Sequence, residues 1–170
     1  MNPRVCAWLS LCLFSLIRSS AAGEPEWKEL NRQIAALHAE GKYGEAAQVA
    51  EKSLKMAQDT YGEGHLNVAK SLNNLANLYL LQGKDRSEQA AELYRKTIAI
   101  EEKQLGKDHP DVADTLFNLA LLYTLTEQYG QALPLLERSL TIKETKLGRD
   151  HPDALRVRKV WEELKARGRV

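Results

Sequence analysis

The chain has 170 residues, a formal net charge of +1, and 44% hydrophobic, 28% charged and only 6% aromatic residues. That length fits one modest domain; the balanced charge excludes a chain held to nucleic acid mainly by bulk positive charge, and the apolar content excludes a disordered tail. Ten Gly and five Pro are too few for a loop-rich or collagen-like chain, while abundant Ala, Leu, Glu, Lys and Gln with few β-branched residues favour helix.

The first segment reads as an address. A basic start at Arg4, an apolar run from Val5 to Ile17 and the small residues Ser20-Ala21-Ala22 have the layout of a secretory signal peptide cleaved after Ala22. Thirteen helical residues span roughly 20 Å, short of the ~30 Å hydrocarbon core, so a transmembrane anchor is the weaker reading. Leu11 is too large to precede a lipidated Cys12. Both cysteines, Cys6 and Cys12, lie in this segment. The expected mature chain, exported to the periplasm or outside the cell, therefore has no disulfide, thiolate nucleophile or cysteine metal site. Its expected net charge is −1, from 22 basic and 23 acidic side chains, and no membrane span is expected to remain.

Beyond the leader the chain repeats itself. Tyr61-Gly62-Glu63-Gly64-His65 aligns with Leu105-Gly106-Lys107-Asp108-His109 and Leu147-Gly148-Arg149-Asp150-His151, the histidines standing 44 and 42 residues apart. Leu72-Asn73-Asn74-Leu75-Ala76-Asn77-Leu78-Tyr79 aligns with Leu116-Phe117-Asn118-Leu119-Ala120-Leu121-Leu122-Tyr123, and Ala46 with Ala90 and Ala132. The repeats are placed at 27–68, 69–112 and 113–154.

Each repeat carries two helical patterns. In the first helix of repeat two, Leu72, Leu75, Ala76 and Tyr79 form one apolar stripe; in the second, Ala90, Leu93, Tyr94, Thr97, Ile98 and Ile100 form another. Gly83 and its equivalents mark the bend between the helices, where repeat two carries two extra residues. The segments Asp108-His109-Pro110-Asp111 and Asp150-His151-Pro152-Asp153 read as helix starts, with proline in the first turn and acidic groups at the positive end of the dipole. Pro134 is expected in or just past the first turn of a helix beginning near Tyr129. Ala76 and Ala120 fall where paired helices cross, facing Ala90 and Ala132. A last helix over 152–170 offers Ala154, Leu155, Val157, Val160, Trp161 and Leu164 on one side and charges elsewhere. Glu162 takes the place of Ala120 there, so this segment reads as a polar cap on a stack that needs about three repeats for stability.

The stretch LGKDHPDVADTLFNLALLYTLTEQYGQALPLLERSLTIKETKLGRDHPD resembles tetratricopeptide repeats of the 42-residue kinesin-light-chain variety, a likeness covering about residues 27–154. Repeat one departs most, with Gln33 and Ile34 where the pattern has a large apolar and a small residue. The resemblance implies an all-α, right-handed solenoid of three helix-turn-helix repeats plus the capping helix, with first helices lining a concave groove that binds a peptide or a protein partner. The implied groove residues are Lys28, Asn31, Arg32, Ala35 and His38 from repeat one. Repeat two supplies Lys70, Asn73, Asn74, Asn77 and Leu80, and repeat three Asp114, Phe117, Asn118, Leu121, Thr124 and Leu125. Asn74 and Asn118 match groove asparagines whose amides can pair with the backbone of an extended ligand; the alternative is that they cap or solvate helices. Asp114 and Asn118 stand where a carboxylate clamp would need cations.

Catalytic signatures are missing. Stacked repeats hold His65, His109 and His151 at least ~8–10 Å apart, too far to share a zinc ion with donors at ~2.0–2.1 Å, so they read as turn residues. Gly62-Glu63-Gly64-His65-Leu66-Asn67 lacks the third glycine and the preceding strand of a dinucleotide loop, and the Gly-Lys pairs at 41, 83 and 106 lack the Ser or Thr of a phosphate loop. No nucleophile elbow or metalloprotease helix is present. The pairs Glu101-Glu102 and Glu162-Glu163 read as solvated faces. The sequence thus points to an exported, non-catalytic protein-binding module with no cofactor, metal, nucleic-acid partner or small-molecule substrate. The competing reading is a structural subunit of a larger assembly, self-associating through the solenoid ends.

Overall fold

A computed structural model describes residues 23–167, and the proposed leader and the last three residues lie outside them. The described chain is helical between its turns and contains no strand. In order come α1 over 23–39, α2 (Tyr43–Tyr61), α3 (Leu66–Gln82), a 3-10 turn (Lys84–Arg86), α4 (Ser87–Leu105), α5 (Pro110–Leu125), α6 (Tyr129–Leu147) and α7 (Pro152–Arg167). Neighbours in sequence pack on one another, as α2 on α3, α3 on α4, α4 on α5, α5 on α6 and α6 on α7, and α3 also touches α5. The result is an all-α repeat solenoid.

Local signals stop and start each helix. The imidazole Nδ1 atoms of His65, His109 and His151 accept the backbone N–H of Asn67, Asp111 and Asp153 at 3.1, 3.2 and 3.2 Å. Each histidine therefore satisfies one of the orphan donors at a helix N-terminus, the task usually given to Ser, Thr, Asp or Asn. Pro110 opens the first turn of α5, where its missing N–H costs nothing. At the other ends, Gly62, Gly106 and Gly148 have φ of 83, 93 and 97° with ψ near 154°, a region that essentially only glycine enters. The α5–α6 bend places Glu127 at φ 61°, a left-handed position that Gly41 fills at φ 74° in the first hairpin. Both bends close with the same pair of backbone bonds, to His38 and Leu37 in one and to Thr124 and Tyr123 in the other. The two extra residues of the middle hairpin are taken up by the 3-10 turn. Pro134 lies inside α6, in its second turn.

Small residues set the packing distance. Ala46, Ala76, Ala90, Ala120 and Ala132 are all fully buried in one core that runs through every hairpin to Val157 and Leu164 of α7. Two satellite clusters flank it, one around Trp27, Ala57, Val68 and Leu72, the other around Val112, Ala113, Leu116 and Ile142. In α7 the buried side is Ala154, Val157 and Leu164, whereas Leu155, expected with them, is 44% exposed. Glu162 and Glu163 face solvent, as expected of a polar end.

One expectation fails in α4. The buried stripe there is Ala90, Ala91, Tyr94, Thr97 and Glu101, so Glu101 is core-facing and Ile100 is only half-buried. Steps of four, three and four residues from Ala90 follow the helical period to position 101. Glu101 therefore faces the core, and its neighbour Glu102, expected on a solvated face with it, is half-buried and pairs with Arg138 at 2.6 Å.

Candidate functional site

The first helices α1, α3 and α5 lie side by side. Trp27 and Asn31 of α1 bond to Ser71 and Asn74 of α3, and α3 contacts α5 directly. Two clefts open along this row. The first, about 280 Å³, lies between α1 and α3 and is lined by Asn31, Ile34, Ala35, His38, Asn74, Asn77 and Leu78. The second, about 340 Å³, lies between α3 and α5 with the end of α4 as its floor; Asn67, Lys70, Asn73, Glu101, Asp111, Asp114, Thr115 and Asn118 are among its walls.

In the first cleft the polar groups largely satisfy one another. The Asn31 amide donates to the carbonyl of Trp27 at 2.7 Å and to the hydroxyl of Ser53 at 3.2 Å, and its oxygen accepts from Asn74 at 3.2 Å. Asn77 accepts a hydrogen bond from the hydroxyl of Tyr94, a fully buried ring whose ionisation is pushed strongly up by burial. His38 is exposed and packs edge-on against Tyr43 with centroids 5.5 Å apart.

The second cleft is different. Glu101 is 9% exposed and accepts from the Thr115 hydroxyl at 2.8 Å through Oε2. Burial pushes its carboxyl up to about 7; the Thr115 bond opposes that rise, and the neighbouring charges of Asp111 and Asp114 add to it. Asp114 pairs at 2.7 Å with Lys143 of α6, whose side chain is 1% exposed. Asn73 carries a buried Oδ1 with no donor. Lys70 is exposed, its ammonium 5.9 Å from the centre of the Trp27 ring.

The remaining predicted residues lie outside both clefts. Lys28 and Arg32 are exposed on α1 and pair along it with Glu24 and Glu29. Leu80 and Leu121 are half-buried against the core, and Thr124 bonds back to the carbonyl of Ala120. Phe117 is buried, with the Arg156 guanidinium 5.3 Å from its ring centre, and Leu125 is 56% exposed.

Glu101 and Lys143 were missed by sequence reasoning. They occupy one repeat position, 42 residues apart, that is Ala57 in the first hairpin. A charge recurring on the buried stripe of a second helix was the available signal. Among the described residues no three His, Cys, Asp or Glu side chains gather to hold a metal ion. No helix there is long and apolar enough to cross a membrane.

The sequence pattern of the tetratricopeptide repeat matches residues 29–87 and 84–145. The chain belongs to the tetratricopeptide-repeat family. Two solved structures are similar to this repeat chain. One is a Podosopora anserina protein assigned as a kinesin light chain, with nearly identical TPR-like repeats; it is 23% identical with a TM-score of 0.73, over 82% of this chain and 65% of that one. The other is BtubC (BKLC) from P. vanneervenii, 19% identical with a TM-score of 0.70, over 90% of this chain and 66% of that one. The tetratricopeptide chain thus spans just under two thirds of the length of either structure, and at these identities the likeness speaks for the fold. No curated protein matches it.

Proposed function

We propose that this chain is a non-catalytic interaction module that, after export, binds an extended segment of a partner protein along the row formed by α1, α3 and α5. The observation carrying this reading is that Asn31, His38, Asn74 and Asn77 line one cleft on that row, and Lys70, Asn73, Asp114 and Asn118 line the next. A continuous run of polar groups beside apolar ones suits a peptide backbone and its alternating side chains. Asn74 spends one N–H on Asn31 and keeps its oxygen and second N–H, and the Asn118 amide has no protein partner among the described residues. Those groups are the ones available to a ligand backbone.

The test is site-specific photo-crosslinking in the compartment where the protein resides. A benzophenone side chain at Lys70 is expected to capture a partner that the same group at Lys96, exposed on α4, does not. Asn118→Ala is expected to reduce capture while leaving the melting temperature within about 2 °C, since no internal bond is lost. Equal capture from both positions would remove the groove from consideration.

A further inference from the structure

The second cleft holds a buried carboxylate that has no ion-pair partner among the described residues. Buried charges in proteins are normally paired or heavily hydrogen-bonded, because desolvation of an isolated ion is costly. Glu101 receives one hydroxyl bond, on Oε2. Of the other charged groups in and beside the cleft, two are acidic and the two cations lie against other partners. From α3, Lys70 lies toward the Trp27 ring. From α5 come Asp111 and Asp114, both acidic. From α6, Lys143 is held by Asp114 at 2.7 Å. Asn73 adds a second, independent sign: a buried amide oxygen on the cleft wall that lacks any donor. A space of about 340 Å³ is thus lined by three carboxylates, Glu101, Asp111 and Asp114, against the single ammonium of Lys70.

We propose that this cleft receives a lysine or arginine side chain of an extended partner segment, with Glu101 as its counter-charge and Asn73 as a further acceptor. An ammonium or guanidinium supplies three or five N–H donors and no acceptor, which complements these walls. The aliphatic stem of such a side chain would lie along Leu66 and Leu105, which also line the cleft. Cation entry favours the ionised form of Glu101, so binding releases a proton and strengthens as pH rises from 6 to 8. The inference rests on the groove reading above and specifies what one stretch of the groove selects.

The experiment is a titration of the isotope-labelled chain, followed through its amide resonances at pH 7.5. The probes are the Nα-acetyl N-methylamides of lysine, arginine and norleucine. The lysine and arginine probes are expected to give saturable shifts confined to 66–73, 101–106 and 111–118, and norleucine is not. Glu101→Gln, which removes a buried charge and should fold at least as well, is expected to weaken the lysine probe at least fivefold, as is a change to pH 5.5. Equal shifts with norleucine, no saturable shifts, or an unchanged titration in Glu101→Gln would overturn the proposal. If crosslinking from Lys70 still captures its partner in that event, the groove reading survives and only the basic-side-chain assignment falls. If capture is lost from the groove positions, the groove reading itself fails.

Discussion

The cleft between α1 and α3 and the cleft between α3 and α5 lie on the same row of first helices, the first toward their C-terminal halves and the second toward their N-terminal halves, and they differ in how their polar groups are spent. In the first, Asn31 is bonded to Trp27, Ser53 and Asn74, so the amides serve mainly to fasten α1 to its neighbours. In the second, Glu101 and Asn73 retain acceptors without donors, and Asp114 is held by a lysine from α6. One position on the buried stripe of the second helices contributes to this, and only in the second hairpin does it line one of the two clefts. It is Ala57 in the first hairpin, Glu101 in the second and Lys143 in the third. A repeat frame keeps the packing alike while the side chain at one buried position varies from repeat to repeat.

The comparison can be pressed hardest at the Lys143–Asp114 pair. Asp114→Ala leaves an ammonium buried without its counter-charge, and we expect a loss of about 3 kcal/mol in denaturant unfolding. Adding Lys143→Met should restore most of that loss; failure to restore it would mean that Asp114 acts by something other than charge.

Next comes the pH behaviour of Glu101. Its carboxyl is raised from 4.5 to about 7, so between those values the folded chain holds a proton that the unfolded chain releases. Stability from this group is full below pH 4.5 and declines as pH rises through 7. The difference between Glu101→Gln and the parent chain should therefore grow in the variant's favour by about 2 kcal/mol from pH 4.5 to 8, less than the full shift implies because the cleft is open to water. A difference flat across that range would show that Glu101 is not held in a desolvated site.

In the first cleft, Asn31→Ala should cost about 1–2 kcal/mol, by removing bonds between α1, α2 and α3. Asn118→Ala, in the second, should cost almost nothing. Equal costs would erase the contrast between the fastened cleft and the available one.

The smallest effect tests the shared frame. His65→Ala and His109→Ala each remove an equivalent N-cap and should each cost about 1 kcal/mol, with melting temperatures lowered alike. A large difference between them would place the asymmetry in the frame and not in the cleft linings.

Much of the fold was legible because its causes are local and recur. The spacing of His65, His109 and His151, the alanines at the crossings and the glycines at the helix ends each act within a few residues, and each appears in register. The candidate site was legible only in part. The residues implied for the groove do line the two clefts at Asn31, His38, Lys70, Asn73, Asn74, Asn77, Asp114 and Asn118. Glu101 was read as solvated because an adjacent pair of glutamates on a charged helix usually is, and adjacency conceals which of the two the helical period turns inward. Lys143 stands beside Glu144 on a likewise charged helix, where a lysine is ordinarily solvated.

The amino-acid sequence alone determined the helical hairpins, their caps and their repeat, since these follow from backbone hydrogen bonding and apolar periodicity over short distances. Which polar groups found partners was decided only by the tertiary structure. The bonds from Asn74 to Asn31, from Lys143 to Asp114 and from Thr115 to Glu101 join residues 43, 29 and 14 positions apart. Whether a side chain at such a distance is satisfied depends on how closely two helices approach and at what angle, and a buried acceptor becomes an opening for a partner only where that approach leaves it without a donor.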